Sequence, residues 1–331
     1  MESPTLLAGD IGGTKTRLTL YGIGEGEPLF QRDQTYPSAG YESLESILRV
    51  FLAGDERVSA ACFGVAGPVD QGRCRTTNLP WEIDAAGLSA RLGIPAVALL
   101  NDLEATALGL LHLPPQAFQV LQAGRESAPG TMAVIAAGTG LGEAILYWDG
   151  SRHHALPTEG GHADFAPNDA WEDGLLAWLR QRLNGHVSYE RILSGPGLHT
   201  LYAYLQESGI APESSELRAR LELEDPAAVI AAFGLQEDDV LCREALRRFA
   251  RMYGAEAGNL ALKSLARGGV IVAGGIAPKI LPALTDGSFL EGFLAKGRFR
   301  PLLERLAVRV ALDSSAPLLG AAHHALELAP R

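Results

Sequence analysis

The chain has 331 residues, 47% of them hydrophobic and 20% charged, which is enough apolar material for two packed domains and excludes a disordered or fibrous chain. Thirty-nine acidic residues against 28 basic ones give a formal charge of -11, the wrong sign for a protein whose affinity would come from neutralising nucleic-acid phosphates. Solubility alone accounts for that charge.

In chain order, Thr5 to Tyr21 predicts a strand, a glycine-rich turn and a second strand. Leu18 and Leu20 alternate with Arg17 and Thr19, the pattern of a half-buried strand. Ser59–Ala66 and Ala96–Leu100 predict buried strands, the latter closed by Asn101-Asp102 and followed by a helix with Leu103, Ala107, Leu110 and Leu111 on one face. Met132 to Trp148 repeats the opening pattern, with Ala133 to Ala137 as a strand buried on both faces. Pro157 to Phe165 predicts a polar, glycine-rich loop. Glu190 falls on a short helix ended by Gly195-Pro196. The acidic stretch from Glu213 to Asp239 predicts solvated helices and a loop, and Leu241, Ala245, Phe249 and Met252 mark a further helix. Val270 to Ala273 is a last buried strand, closed by Gly274-Gly275. Strands alternating with helices argue for an α/β architecture, and the echo of the first hairpin in the second argues for a duplicated domain. No Ser/Gly linker separates the halves, so they are expected to join at structured crossovers, with a boundary near residue 112.

Three glycine turns could face a phosphorylated ligand. Gly9-Asp10-Ile11-Gly12-Gly13-Thr14-Lys15 can turn several N–H groups outward, as a phosphate cradle requires, though a tight hairpin would look the same. It is not a Walker A loop, which needs glycine immediately before the lysine, where Thr14 stands. Gly138-Thr139-Gly140 offers a second turn that fails the dinucleotide pattern. Two such hairpins gain weight as a pair, because they can hold the β- and γ-phosphates of a nucleotide from opposite sides. Gly274-Gly275 would let an adenosine lie against backbone, or would serve a close strand-to-helix turn.

Asn101-Asp102 places a carboxylate at the carboxyl edge of the sheet, where open α/β sheets bind ligands. Helix capping is the competing account. Glu159 and His162 are three apart, but Gly160 and Gly161 disfavour a helical metal site, and the loop suits hydrogen bonding to a multi-hydroxyl ligand. Adjacent histidines point apart on helix or strand, so His153-His154 and His323-His324 read as loop and surface residues. Arg243, Arg247, Arg248 and Arg251 read as a solvated helix face. Cys62, Cys74 and Cys242 are widely spaced and odd in number, which suggests neither a disulfide framework nor a zinc knuckle and points to a reducing cytoplasm. Glu2 and Asp10 interrupt any secretory signal, and no apolar run approaches the roughly 18 residues of a membrane span.

Taken together, Asp10-Ile-Gly-Gly-Thr14, Ala137-Gly-Thr-Gly-Leu-Gly142, Ala273-Gly-Gly275, Asn101-Asp102, Glu159-Gly-Gly-His162 and Tyr189-Glu190 to Gly197 resemble the motifs of the bacterial glucokinases, in the hexokinase, actin and heat-shock-70 ATPase superfamily. Order and spacing are kept from residue 5 to about residue 324. The resemblance implies a duplicated actin-like, ribonuclease H-like ATPase fold, with a small domain of residues 1–112 plus 313–331, a large domain of 113–312, and an active-site cleft between them. It implies ATP-dependent phosphorylation of glucose at the 6-hydroxyl, the entry step of glycolysis, by a cytoplasmic homodimer. Asp102 would be the base. Asn78, Asn101, Asp102, Glu159, His162 and Glu190 would hold the sugar. Gly9 to Lys15, Gly138 to Gly140 and Gly274-Gly275 would hold ATP, and Asp10 would orient its Mg²⁺ through water. The cysteine-rich zinc motif of the related repressor and kinase group is missing, so no structural zinc is expected.

The rival readings are a kinase of fructose, mannose or an N-acetylhexosamine on the same fold, and a kinase using polyphosphate, which would favour a basic channel that no Lys or Arg run supplies. A sugar-sensing regulator would carry a helix-turn-helix ahead of Asp10, and a chaperone-like ATPase would have no use for the set Asp102, Glu159, His162 and Glu190.

Overall fold

The structure is a computed structural model and describes residues 5–52, 57–76, 78–125, 129–236 and 239–330. The chain divides into two compact units: one holds the residues up to Pro115, Ala155–Pro157 and those from Asp313 on, and the other holds Gln116–His154 and Thr158–Leu312.

The first unit is built on five strands, β1 (Thr5–Ile11), β2 (Lys15–Gly24), β3 (Glu27–Pro37), β4 (Val58–Val65) and β5 (Val97–Asn101), in the order β3-β2-β1-β4-β5. β1 is antiparallel to β2 and parallel to β4, which is parallel to β5. Helix α1 (Asp102–Leu110) follows β5 directly. Leu7, Ile11, Leu18, Leu20 and Phe63 form a core with Ile47, Leu48 and Leu88 on one side of the sheet. Leu6, Ala8, Tyr21 and Cys62 form another with Ala105 of α1 and Leu318, Ala321 and Ala325 of the C-terminal helix, Ala316–Leu328. This second core corrects the expectation for β2. Thr19, on the face that alternation assigns to solvent, is as buried as Leu18, because helices cover that face as well.

The C-terminal helix and α1 meet backbone to backbone. A Cβ at Gly109 would run into the carbonyl of Ala316, and one at Gly320 into that of Ala105. His323 and His324 lie half-buried on this helix, and His153 and His154 begin a strand, so neither pair sits in a loop, while the His154 side chain keeps the surface position that adjacency suggests.

The second unit repeats the plan with β6 (Phe118–Gln122), β7 (Met132–Ala137), β8 (Leu141–Trp148), β9 (His153–Thr158), β10 (Gly269–Ala273) and β11 (Val308–Ala311), in the order β9-β8-β7-β10-β11-β6. β7 is antiparallel to β8 and parallel to β10, as β1 is to β2 and β4. Its helices include α2 (Gly195–Glu207), α3 (Pro226–Leu235) and the 25-residue α4 (Val240–Ser264). Leu241, Ala245, Phe249 and Met252 of α4 are all buried against the sheet side. Its arginines are not simply solvated: Arg248 and Arg251 are largely buried and pair with Asp169 at 3.3 and 2.6 Å, and Arg251 also with Glu172 at 3.2 Å.

The close crossing of α1 with the C-terminal helix leaves no room for a methyl group. Gly320→Ala should therefore cost about 1–3 kcal/mol by overpacking, read as a lower urea midpoint with an unchanged slope. Gly40→Ala, whose new Cβ meets only Pro37 Cγ at an ordinary 3.6 Å, should stay within about 0.5 kcal/mol. Equal midpoints for the two variants would refute the crossing.

Candidate active site

In the first unit, β1, β4 and β5 end level: Ile11 pairs with Val65, and Val65 with Asn101. Asn101 caps α1. Its Oδ1 accepts from the Leu103 N–H at 2.9 Å, its own N–H donates to Glu104 Oε2 at 3.3 Å, and its Nδ2 donates to the Gly67 carbonyl at 3.2 Å. The capping account therefore belongs to Asn101, while Asp102 opens the helix with its Oδ1 accepting from the Leu103 N–H at 2.8 Å. Asp10 feels the charge of Asp102. Burial first and that charge second push Asp10 up to about 6, against an opposing pull from Arg17.

The turn between β1 and β2 is held by its own backbone and by Ser38. The Gly12 N–H donates to the Lys15 carbonyl at 2.9 Å, Ser38 Oγ donates to the Gly12 carbonyl at 2.7 Å, and the Ser38 N–H donates to the Thr14 carbonyl at 3.0 Å. Thr14 and Lys15 are exposed. Gly13 packs against Asn78 so closely that a Cβ would displace it, which sets Asn78 beside the turn. Ile11 and Gly9 face inward, Gly9 against Phe63 and Leu18, so only their backbone is available to a ligand.

In the second unit, β7 and β10 end together, Ala136 paired with Ala273. The turn after β7 closes with the Gly138 N–H donating to the Gly140 carbonyl at 2.8 Å, and the Gly195 N–H donates to the Gly138 carbonyl at 2.9 Å. Gly274, at φ +85°, runs along the Ala137 backbone where a Cβ would clash, while Gly138 and Gly275 have open space in the Cβ direction. A cavity of about 630 Å³ brings Gly138, Thr139 and Gly275 together with Lys279, Pro226 and Ala227, a size that suits a small ligand. Pro226 and Ala227 begin α3, capped by Asp225 Oδ1 accepting from the Ala227 N–H at 2.9 Å. The acidic stretch read only as solvated helices thus walls this cavity and buries Val229 and Ile230.

Glu159, His162 and Glu190 converge. His162 Nε2 lies 3.9 Å from Glu159 Oε2, and its Nδ1 lies 3.9 Å from Glu190 Oε1. The segment carries one 3₁₀ turn, Gly160–His162. Glu190 Oε2 accepts from the Leu141 N–H at 3.0 Å, which seats this carboxylate against the glycine turn as well. Glu190 lies in a 3₁₀ turn, and Gly195-Pro196 begin α2 instead of ending a helix. Ser194 Oγ accepts from the Gly197 N–H as the cap, and proline is favoured in a first turn.

Two buried features escaped the sequence reading. Glu143 on β8 and Glu256 on α4 bury their carboxyls together, and burial and the Glu256 charge hold Glu143 well above the usual carboxylate range. A Cβ at Gly160 would strike the Glu143 carboxyl, so the pair underlies the Glu159–His162 loop. A charged residue directly before Ala144-Ile145-Leu146 in an apolar strand was the available signal. Tyr253 OH accepts from the Ala137 N–H at 2.9 Å at the root of the second glycine turn.

Two sheets of like order, each with a glycine turn after its first central strand, are those of the duplicated actin-like fold of sugar kinases. Solved structures agree: a glucokinase from an Antarctic psychrotroph superposes with a TM-score of 0.85 at 29% identity, covering 98% of this chain and 99% of that one. A glucokinase family model matches residues 7–328. Glucokinases of a Nostoc species and of a Synechocystis species are each 40% identical, covering 96% of this chain and 97% and 96% of theirs. The chain belongs to the glucokinase family.

Asp10 carries a pH-dependent cost. With its folded value at about 6 against the ordinary 3.8, the fold holds a proton more tightly than the unfolded chain, so the associated stability is complete below 3.8 and lost as pH rises through about 6. Asp10→Asn should therefore raise stability at pH 7.5, on the order of 1–3 kcal/mol, and lose that advantage below pH 4. Calorimetric melting at both pH values decides it, and no gain at pH 7.5 would contradict the buried, repelled carboxylate.

Proposed function

We propose a division of labour for the phosphorylation of glucose, the reaction of this family member, in which Asp102 accepts the proton of the 6-hydroxyl as that oxygen attacks the γ-phosphate of ATP. The observation that carries this reading is the placement of Asp102 and Asp10 at the level ends of β1, β4 and β5, with Asn101 capping the helix that Asp102 opens. Phosphoryl transfer through a loose transition state needs little prior deprotonation, so an ordinary carboxylate suffices as base. Its task is orientation and proton acceptance at the moment of bond formation.

Asn101, Glu159, His162, Glu190 and Asn78 hold the remaining hydroxyls. A buried polar group left unpaired by a missing or inverted hydroxyl is what rejects the wrong sugar. Backbone N–H groups of Gly12 to Thr14 and Gly138 to Gly140, with the Thr14 and Thr139 hydroxyls, receive phosphate oxygens. The cavity against Gly275 and α3 receives the adenosine. Asp10 and the facing Asp102 charge supply the hard oxygen environment that Mg²⁺ prefers, and the ion bound with the nucleotide would neutralise phosphate charge. The donor set of the second unit, an imidazole between two carboxylates, suits hydroxyls better than a hard cation.

The same reading makes the protein a bacterial, cytoplasmic enzyme of the hexokinase, actin and heat-shock-70 superfamily, acting as a homodimer. The three cysteines are free and buried, which is consistent with a reducing compartment. Among the described residues, no helix is long and apolar enough to cross a membrane.

The test is ADP release from Mg-ATP with glucose, fructose, mannose and N-acetylglucosamine, with polyphosphate as an alternative donor. Glucose and ATP should dominate. Asp102→Asn should keep glucose affinity within about tenfold while lowering kcat at least about 10²-fold. Near-normal turnover in that variant would remove Asp102 as the base, and turnover on another sugar in preference to glucose would overturn the specificity.

A further inference from the structure

Far along α1 from Asp102, the backbone contact between Gly109 and the C-terminal helix has a chemical consequence. Three residues beyond Gly109 stands His112, and three beyond Gly320 stands His323, each about one helical turn on. Locked together at the glycines, the two segments force the imidazoles face to face, with ring centroids 3.3 Å apart and planes 11° from parallel. Glu27, which opens β3, joins them with its Oε2 3.6 Å from His323 Nε2. One donor atom from each of the three residues lies within 4.8 Å of the others.

We propose that Glu27, His112 and His323 form a binding site for a divalent transition-metal ion of the zinc class. Two imidazoles and a carboxylate are a set that zinc accepts, leaving a fourth position for water. Metal–ligand bonds of about 2.0–2.2 Å require the donors to close to roughly 3.3 Å from one another. The rings reach that by tilting out of their stack so that their in-plane lone pairs converge, and the exposed Glu27 side chain swings in to meet them. Rings stacked this closely do not both carry charge, and a neutral imidazole is the form that binds a metal. Mg²⁺ prefers oxygen ligands and retains its waters, so the ion that accompanies ATP does not compete here. A bound ion would tie the β2–β3 hairpin, the end of α1 and the C-terminal helix into one cross-linked body.

The experiment uses the full-length protein stripped with a chelator and titrated with ZnCl₂ by calorimetry, with thermal unfolding in parallel. Wild type should bind one equivalent with micromolar affinity and gain at least about 2 °C in Tm at saturation, while MgCl₂ at the same concentration should give no shift. His112→Gln and His323→Ala should each weaken zinc binding at least tenfold and abolish the shift. Glu27→Gln, at a side chain facing solvent and outside the helix contact, should weaken binding severalfold, and it keeps the test intact should a histidine variant fail to fold. Wild-type affinity in all the folded variants would place zinc on others of the eight histidines and overturn the proposal, as would the lack of a one-equivalent site in wild type.

Discussion

The rest of the structure depends on parallel register. Because β1, β4 and β5 run in one direction and finish on the same line, residues from three distant parts of the sequence, Asp10, Gly67 and Asn101-Asp102, are delivered to one edge without any loop having to find its own way there. The second unit obeys the same constraint with β7 and β10, whose common end sets Gly138–Gly140 beside Gly274-Gly275. A one-residue slip in either pairing would turn every inward side chain outward. The buried cores on both faces of the first sheet hold that register as firmly as the hydrogen bonds do.

Carboxyl groups are placed where folding alone would not put them. Asp10 is buried within reach of the charge of Asp102, and Glu143 is buried with Glu256 beneath the Glu159–His162 loop. Each arrangement costs stability at neutral pH and is held in place by the surrounding core. Sites that need concentrated negative charge for a cation or for hydroxyl donors are where such costs are expected. The buried pair at Glu143 acts on the Glu159–His162 loop through Gly160, which has no side chain to keep the two apart.

Much of this was readable from the chain. Both hairpins, the strands near residues 59, 97 and 270 and the helix containing Phe249 follow from apolar runs and glycine punctuation. What escaped did so for identifiable reasons. Thr19 is buried because the C-terminal helix, some 300 positions away in sequence, covers that face of the sheet, and no local pattern contains that fact. Gly195-Pro196 has the composition of a helix stop, but with Ser194 before it the same residues make a helix start. The cavity wall at α3 was hidden behind the acidity of its flanks, although Asp225-Pro226 is a helix-opening signal. The stacking of His112 on His323 depends on two glycines in different helices, and neither glycine carries a local signal that the helices touch.

In the second unit, Glu190 ties the glycine turn to the His162 imidazole. One of its oxygens accepts the N–H of Leu141, the residue directly after the glycine turn, and the other faces the His162 imidazole. A Cβ at Gly140 would collide with that carboxylate, so the turn and the acid are fitted to each other at backbone distance. A ligand hydroxyl that draws on Glu190 therefore acts on the group that fixes the turn, and a ligand unable to engage it leaves the imidazole and the turn without a common anchor. The carboxylate, half-buried and fixed on one side by a backbone donor, has lost most of its orientational freedom before any ligand arrives. Orientation settled in advance is what lets a few hydrogen bonds discriminate between sugars that differ at one carbon.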